Sequence, residues 1–388
     1  MSKVLVIGFN SRPIAQSAVK AGFKVVCVDY WGDLDLRELS LDLISILDQT
    51  PGDELKRKRK SLDQFISSIK LMKERHEDLE FALIGSGFDD FPEFWKKVNE
   101  LVPVMGNDHG AIERSRNWRS LFRLLENLGI PFPDTKIVKG EAGLLKGASE
   151  LGYPLVLKPL RGSGGRGKIL ISKEEQIPIG LKREYMIQKF IDGTDASASF
   201  VANGDKFSLL SINEQLIGTS WLNSPGRFTY CGNVVPLSTY KELWGEICEL
   251  LSSLVPRLML KGSNGLDFVL KDGVPYVMEI NPRFQGSLEC IEEAFKVNLV
   301  DLHLSSLRGE LKDIGPPTCF SCRGILFSQR DLKLKDLRGH NYVRDISVPG
   351  ILMRRSTPIC SIFASGKSRE NVILTVRRRA EEVLRFLN

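Results

Sequence analysis

The stretch Lys158-Pro159-Leu160-Arg161-Gly162-Ser163-Gly164-Gly165-Arg166-Gly167-Lys168 contains four glycines within six residues. Short apolar runs at 155–157 and 169–171 flank it, which is the pattern of a strand, a loop and a second strand. Glycine lets backbone N–H groups approach a ligand closely, and successive N–H groups bind anions. We therefore predict a hairpin that lies across a polyphosphate, with Arg166 on the phosphate oxygens and Lys158 adding a point charge. The alternative is a surface hairpin that binds no ligand. Four glycines would destabilise such a hairpin, because glycine loses more conformational freedom on folding than any other residue.

Two familiar phosphate-binding motifs match this loop only in part. Gly162-x-Gly164-x-x-Gly167 fits the dinucleotide pattern, and Gly162-x-x-x-x-Gly167-Lys168 approaches a Walker A loop. Both mechanisms need a helix directly after the loop, so that the helix N-terminus faces the phosphate. Here an apolar strand pattern follows, and Ile169 stands where Walker A requires Ser or Thr. The sequence therefore argues against both motifs.

A second polar stretch carries the candidate metal ligands. Glu279 and Asn281 are two residues apart along a predicted strand, so both point to one face of a sheet. Asp267 lies on the preceding strand and shares that face if the hairpin loop has an odd number of residues. We predict a three-residue loop, Lys271-Asp272-Gly273, with Gly273 in the left-handed conformation. Oxygen ligands converging there suit Mg²⁺, whereas ordinary alternation in a solvated sheet is the alternative reading.

The N-terminal part of the chain alternates predicted strands and helices. Apolar runs at 4–7, 25–28, 81–84 and 102–105 predict parallel strands, with helices at about 61–75 and 91–100. A dinucleotide site is disfavoured, because the first turn offers Gly8 alone where the fingerprint needs three glycines. Helical segments at 108–128 then end at Gly129, strands dominate to about 300, and a basic helix is expected at about 368–387.

Composition excludes several classes of protein. The chain has 388 residues, with 42% hydrophobic and 26% charged residues and a net charge of +6, as expected for a multidomain globular protein that attracts anionic metabolites. The basic run at 56–60 lacks interleaved aromatic residues, so we expect no nucleic-acid partner. No segment approaches the ~18 apolar residues of a membrane span. The cysteines are scattered, and Cys319-x-x-Cys322 has no second pair to complete a zinc site, so reduced thiols and a cytoplasmic location are expected.

The chain resembles the ATP-grasp superfamily, especially its carboxylate–amine ligases and more distantly biotin carboxylase. The resemblance rests on the glycine loop, on Gln188-Lys189-Phe190-Ile191-Asp192-Gly193-Thr194-Asp195, and on Asp267, Glu279 and Asn281-Pro282-Arg283. It implies a mixed α/β and α+β fold with a Rossmann-like α/β domain at 1–107, before the ATP-grasp fold. A small lobe with the glycine loop (108–187), a large lobe with the metal site (188–315) and a C-terminal segment packed on the large lobe (316–388) would follow.

The resemblance also implies a role for each site residue, with ATP and Mg²⁺ (or Mn²⁺) as cofactors. Arg283 and Lys158 would be catalytic, and Asp267, Glu279 and Asn281 would hold the metal. Further ATP contacts would come from Gly162, Ser163, Gly164, Gly165, Arg166, Gly167, Gln188, Lys189, Phe190, Ile191 and Asp195. Many relatives have a lysine for the α-phosphate where this chain has Trp118, so the resemblance suggests Arg119 as the substitute.

Enzymes of this kind join a carboxylate to an amine through an acylphosphate and release ADP and phosphate. We therefore expect two small-molecule substrates, and a homodimer would suit the superfamily. Substrate contacts are expected from Asn10, Arg12, Glu214 and Arg227. The alternatives are a carboxylation that uses bicarbonate, as in biotin carboxylase, and a protein that binds ATP without catalysis.

Overall fold

The computed structural model describes residues 2–47, 49, 51, 52, 62–162 and 164–387, and within these residues the strands form four sheets. The basic run at 56–60 and Ser163 lie outside the described residues. The predicted mixed α/β and α+β class is confirmed, because the first sheet is parallel and the later sheets are antiparallel. None of the described helices combines the length and the apolar character that a bilayer crossing needs.

In the first sheet the apolar runs at 4–7 and 25–28 are buried on both faces, as the unbroken run at 4–7 predicts. Its elements are β1 (Lys3–Gly8), α1 (Arg12–Lys20), β2 (Lys24–Asp29), α2 (Leu34–Leu39), β3 (Asp42–Ser45), α3 (Leu62–Arg75), β4 (Leu79–Ile84) and α4 (Pro92–Leu101). The strand order is β3-β2-β1-β4. The predicted strand at 102–105 is wrong, since Pro103 has no N–H and a single bridge joins Val104 to Ala82.

Two helices lead from the first sheet to a smaller second sheet. The elements are α5 (His109–Arg116), α6 (Trp118–Asn127), β5 (Thr135–Lys139), α7 (Gly140–Leu151), β6 (Leu155–Pro159), β7 (Ile169–Ile171) and β8 (Glu184–Lys189). The side chain of Asn117 accepts a hydrogen bond from the Ser120 N–H, which caps α6 and separates it from α5. The sheet order is β5-β8-β6-β7. The glycine loop joins the antiparallel strands β6 and β7, which confirms the predicted hairpin.

The large sheet occupies most of the remaining chain. Its elements are β9 (Thr194–Asn203), β10 (Phe207–Ile217), β11 (Tyr230–Val235), α8 (Tyr240–Leu258), β12 (Lys261–Lys271), β13 (Val274–Asn281), α9 (Leu288–Phe295), α10 (Leu299–Leu307), β14 (Phe320–Phe327), β15 (Leu332–Lys333), β16 (Val343–Arg344), β17 (Leu352–Met353), β18 (Pro358–Gly366) and α11 (Arg369–Leu387). The order is β13-β12-β9-β10-β11-β14-β18-β16, with β15 and β17 paired separately.

The C-terminal segment is part of the large sheet, because β14, β16 and β18 supply three of its eight strands. It also joins the first sheet: Leu5 and Ile7 share an apolar core with Ile362 and Val376. On the other side of the first sheet, a second core unites α1 with α9 and α10. The carboxyl ends of β1, β2 and β4 therefore face the large sheet across an interior space. The limits at 107, 187 and 315 remain our proposal for the domain boundaries.

Candidate active site

A cleft opens between the small second sheet and the large sheet. It has a volume of about 160 Å³. Its walls are Val156, Lys158, Met186 and Gln188 from the small sheet and Asp267, Phe268, Met278 and Glu279 from the large sheet. A larger cavity of about 770 Å³ shares Lys168, Asp267 and Glu279 with this cleft and extends to the carboxyl ends of the first sheet. Asp267 and Glu279 thus lie where the two spaces meet, and Asn281, the third predicted metal ligand, lines the larger cavity.

The strands that carry these ligands are joined by two residues, Asp272 and Gly273, with φ values of 52° and 82°. The predicted three-residue loop is therefore wrong. Pairing stays regular from this turn until Met278, which bulges out of the ladder, so that Asp267 lies opposite Glu279. The bulge supplies the odd residue that the loop lacks, and both carboxylates still share one face of the sheet.

Hydrogen bonds orient the two carboxylates. Asn281 Nδ2 and Gln215 Nε2 each donate to Asp267 at 3.0 Å, one to each carboxylate oxygen. Arg116 Nη1 donates to Glu279 Oε2 at 3.3 Å. We call Asp267, Glu279 and Asn281 the acidic platform.

The acidic platform concentrates negative charge at a site that is partly shielded from solvent: Asn281 is buried, and Asp267 and Glu279 are half-buried. Burial, and then the charge of Glu279, raise the pKa of Asp267 to about 8. Burial is the largest influence on Glu279 and opposes its charge, but the charges of Arg116 and Lys168 are among the contacts that together outweigh burial and lower the pKa of Glu279 to about 2. A cation between the two facing carboxylates would stabilise the state in which both are charged.

The donor set fits Mg²⁺. The platform offers two carboxylates and one amide oxygen. Among the described residues, no group of three His, Cys, Asp or Glu side chains forms an alternative metal site. Mg²⁺ typically binds through one or two carboxylates and fills its other positions with phosphate oxygens and water. The acidic platform therefore matches a metal that arrives with phosphate.

Arg283 lies beside the acidic platform. Its Nη2 donates to Asn281 Oδ1 at 3.3 Å, and its Nε donates to Asp89 Oδ2 at 3.0 Å. Asp89 follows β4 of the first sheet, so Arg283 connects that sheet to the platform. The side chain of Arg283 lines the larger cavity, where it is available to an anion.

Lys158 faces the acidic platform from the small sheet. Its ammonium group donates to Gln188 Oε1. Burial, and then the charge of Lys168, lower the pKa of Lys158 to about 7. In such surroundings an anionic partner stabilises the charged form of the lysine, and a phosphate would be such a partner.

The glycine hairpin reaches across the cleft to the large sheet. Its described residues Gly162, Gly164, Gly165, Arg166 and Gly167 line the larger cavity. The Tyr230 N–H donates to the Gly164 carbonyl at 3.3 Å. A Cβ atom at Gly165 would lie 1.6 Å from the Phe228 carbonyl oxygen. Only glycine permits this approach, so the hairpin covers the cleft because Gly165 has no side chain.

This contact predicts that Gly165→Ala weakens nucleotide binding. We expect the dissociation constant of a non-hydrolysable Mg-ATP analogue to rise about tenfold or more, because the added methyl group prevents closure. Calorimetric titration measures it. Gly164→Ala is a matched control, since Gly164 has a similar φ of 64° but nothing within 4 Å of its Cβ position. Equal losses in the two variants would show that backbone strain, and not closure, is responsible.

The segment after β8 is the predicted contact for the base. Gln188, Lys189, Phe190, Ile191 and Asp195 all line the cleft. The N–H of Lys189 donates to Asp134, and that of Phe190 donates to Pro154. The Lys189 N–H is thus occupied, which leaves Ile191 as the N–H to test against a base. Arg227, a predicted substrate contact, has its guanidinium 5.1 Å from the Phe190 ring centroid.

Residues 116–287 match the ATP-grasp domain family. The chain contains an ATP-grasp domain. This segment includes the glycine hairpin, the segment after β8 and the acidic platform, so the resemblance seen in the sequence is confirmed.

Known proteins resemble the chain well beyond the ATP-grasp domain. An uncharacterized protein of Methanocaldococcus jannaschii is 28% identical over 386 residues, which cover 99% of this chain and 92% of that protein. The arginine-specific carbamoyl phosphate synthase large chain of Geobacillus stearothermophilus is 25% identical over 241 residues, 60% of this chain but 23% of that protein. The chain thus spans only about a quarter of that large chain.

Solved structures share the fold over almost the whole length. The L-amino acid ligase of Bacillus licheniformis superimposes with a TM-score of 0.73 at 17% identity, covering 98% of both chains. The biotin carboxylase domain dimer of the Hydrogenobacter thermophilus 2-oxoglutarate carboxylase, solved with MgADP, ADP and bicarbonate, gives a TM-score of 0.73 at 14% identity. That match covers 96% of this chain and 88% of the other.

Arg116 and Arg119 lie at the start of the ATP-grasp domain, and their positions differ from the expectation that Arg119 contacts the α-phosphate. Arg119 lies exposed on α6 and pairs with Glu184 at 3.0 Å, and it does not line the cleft. Arg116 lines the cleft beside Trp118, with its guanidinium 4.8 Å from the indole. The geometry therefore favours Arg116 over Arg119 as the cationic neighbour of a phosphate.

Two of the predicted substrate residues are held in ion pairs outside the cavities. Arg12 is 1% exposed, and its Nε donates to Asp345 at 2.7 Å while Nη1 donates to Glu289 at 2.9 Å. Glu214 accepts two hydrogen bonds from Arg369, at 2.5 and 2.6 Å. The geometry does not support a substrate contact for either. Asn10 differs, because it lines the larger cavity and its buried Oδ1 has no hydrogen-bond partner in the described part of the chain.

The arrangement around Arg12 predicts a stability effect. Arg12→Met should lower the free energy of unfolding by about 3–5 kcal/mol, because it leaves Glu289 and Asp345 buried without their main partner. Urea unfolding measures this. Arg377→Met is the control, since Arg377 forms an exposed ion pair with Glu381 on α11, and its loss should change stability by less than about 1 kcal/mol. Similar values for the two variants would contradict the structural role of Arg12.

Sequence reasoning missed the polar and aromatic residues that follow β2. Tyr30, Trp31 and Asp33 line the larger cavity, together with Arg323 and Ser347 from the C-terminal segment. The signal available in the sequence was their position directly after a predicted parallel strand, where ligands of α/β sheets usually bind. The two C-terminal residues had no such signal, since they reach the cavity only through the large sheet.

Proposed function

We propose that the chain is an ATP-dependent ligase that joins a carboxylate to an amine through an acylphosphate and releases ADP and phosphate. The observation that carries this proposal is the opposition of two groups across one cleft. The acidic platform lies on one side, and Lys158 lies on the other beneath a glycine hairpin that reaches across the opening. Such an arrangement suits a polyphosphate and its metal, which need charge neutralisation from both sides.

ATP would lie with its base near Ile191, its ribose near Asp195 and its phosphates under the hairpin. Asp267, Glu279 and Asn281 would hold Mg²⁺, and Mn²⁺ could replace it. When bound, the metal would neutralise charge on the phosphate oxygens. Lys158 and Arg116 would contact phosphate oxygens directly, and the hairpin would exclude water from the reacting groups.

The reaction then needs no nucleophile from the protein. An oxygen of the substrate carboxylate attacks the γ-phosphorus, and the bond to the β–γ bridging oxygen breaks as ADP leaves. The amine nitrogen next attacks the acyl carbon, the carbon–oxygen bond to phosphate breaks, and the nitrogen loses a proton to solvent. Arg283 would stabilise the negative charge on the transferring phosphoryl group, because it lines the larger cavity beside Asn281.

Carboxylation is the second candidate, with bicarbonate as the acid. The fold likeness to a biotin carboxylase domain solved with bicarbonate supports it, although the two sequences are only 14% identical. We infer small-molecule partners in either case, and we propose a homodimer by analogy with that domain, which was solved as a dimer.

The test is to incubate the pure protein with Mg-ATP and pooled amino acids, amines, carboxylates and bicarbonate, and to quantify ADP and AMP. The proposal predicts ADP release that requires both an acid and an amine. ADP release that requires bicarbonate would favour carboxylation instead. Release of AMP would refute the acylphosphate route.

A further inference from the structure

The larger cavity has two chemically different ends. At one end it contacts the acidic platform, Arg283 and Lys168, where a carboxylate would meet the γ-phosphate. At the other end lie the carboxyl ends of β1 and β2, where the acidic wall residues are Asp33 and Asp345, and Asp345 is already paired with two arginines. A volume of about 770 Å³ is in the range of small-molecule sites.

Asp33 is a buried carboxylate without a cationic partner among the described residues. It is 5% exposed, and within the described part of the chain the hydrogen bond to its side chain comes from the Ser347 hydroxyl at 3.4 Å. It precedes α2 but makes no capping hydrogen bond with its side chain. The positive charge of Arg12 favours the ionised form of Asp33, but Arg12 is already paired with Asp345 and Glu289. A buried carboxylate in this state is costly unless a ligand supplies the missing positive charge.

The negative charges around Asp33 also favour a bound cation. Burial, and then the charges of Asp345, Asp29 and Asp35, raise the pKa of Asp33 well above its usual range. A bound cation would reverse that effect.

Three aromatic rings line the same cavity as Asp33. Phe9 and Tyr30 stack with centroids 4.9 Å apart, and Trp31 meets Tyr30 edge-on at 5.3 Å. All three line the cavity. Aromatic faces attract organic cations and also accommodate an apolar stem.

Arg323 lies on the same cavity wall, where its Nη2 donates to Asp345 at 2.6 Å and its Nε lies 3.8 Å from Glu289 Oε2. Arg323 is 4% exposed, and its Nε has no hydrogen-bond partner in the described residues. Its Nη1 donates to the Gly286 carbonyl at 3.4 Å, near Arg283. The cavity therefore offers the guanidinium of Arg283 beside the platform and, at the far end, the carboxylate of Asp33 without a cationic partner among the described residues, which is the complement of a zwitterion.

We propose that Asp33 binds the ammonium group of the acid substrate, so that this substrate is an amino acid whose reacting carboxylate lies at the platform and whose ammonium group lies at Asp33. The inference rests on the proposed ligase function, because that function determines which end of the cavity receives the carboxylate. Phe9, Tyr30 and Trp31 would contact the part of the molecule between its two charges.

Calorimetry on the full chain tests this inference in the presence of a non-hydrolysable Mg-ATP analogue. The probes are linear ω-amino acids from β-alanine to 6-aminohexanoate, together with L-lysine. Each ω-amino acid is compared with the monocarboxylate and the dicarboxylate of the same length. We expect at least one amino acid to bind about tenfold more tightly than its matched acids. We also expect Asp33→Asn to weaken that binding about thirtyfold while leaving the affinity for the nucleotide analogue unchanged.

The outcomes separate the inference from the function on which it rests. If the nucleotide analogue does not bind, the proposed function fails and the inference fails with it. If the analogue binds but no amino acid binds better than its matched acids, the inference is overturned and the function stands. The same holds if Asp33→Asn binds the preferred amino acid as tightly as the native chain does. The comparison of probes on the native chain keeps the test decisive even if the variant does not fold.

Discussion

A Glu279→Gln variant is expected to lose ADP formation at least a hundredfold while keeping its fold. The substitution preserves the shape of the side chain but removes its charge, so the acidic platform retains one carboxylate. The lost charge also leaves Arg116 without a partner on the platform, since Arg116 Nη1 donates to Glu279 at 3.3 Å. Removing one preorganised electrostatic group at a reacting centre typically costs about 10²–10³ in turnover.

Titration with Mg²⁺ makes this prediction specific. The native enzyme should reach saturation at low metal concentration, and the variant should need much more Mg²⁺ for its residual rate. Glu249→Gln is the control, because Glu249 lies exposed on α8 away from the cleft. If Glu279→Gln showed the same Mg²⁺ dependence as the native enzyme, Glu279 would not belong to the metal site.

Lys158→Met should weaken the binding of the Mg-ATP analogue about a hundredfold. The lysine is half-buried opposite the acidic platform, and desolvation, followed by the charge of Lys168, lowers its pKa to about 7. A bound phosphate would stabilise the charged form, and methionine preserves most of the side-chain volume without that charge. The loss of a buried charge-assisted hydrogen bond costs about 2–5 kcal/mol, which corresponds to this change in affinity.

Calorimetric titration of the analogue measures the effect of Lys158→Met. Lys173→Met is the matched control, because Lys173 follows β7 in the same sheet but is exposed. Nearly native affinity in Lys158→Met would contradict the assignment of this residue to the phosphates.

The glycine hairpin and the acidic platform could be predicted because short-range rules decide them. A period of two places Glu279 and Asn281 on one face, and four glycines between apolar runs predict a hairpin. Asp267 and Glu279 share one face of the sheet for a different reason from the predicted one. A two-residue turn would have put Asp267 on the opposite face from Glu279, and the bulge at Met278 corrects this. Bulges depend on the neighbouring strands, so the sequence of one hairpin does not reveal them.

Residues brought together by long-range packing could not be predicted. Arg119 is adjacent to Trp118 in the sequence and Arg116 is two residues away, yet the orientation of α5 and α6 turns Arg116, and not Arg119, toward the cleft. Arg12 was expected at a substrate because it follows a parallel strand. Its partners Glu289 and Asp345 come from distant segments, and they pair with it in the interior.

In the proposed mechanism, a carboxylate attacks the γ-phosphate of ATP at the acidic platform. The most direct measurement uses the pooled substrates with every carboxylate labelled with ¹⁸O, and it analyses the released phosphate by mass spectrometry. The account predicts ADP together with inorganic phosphate that carries one ¹⁸O atom, because the carboxylate oxygen leaves with the phosphoryl group. Unlabelled phosphate formed alongside a ligated product, or AMP with pyrophosphate, would contradict the acylphosphate mechanism.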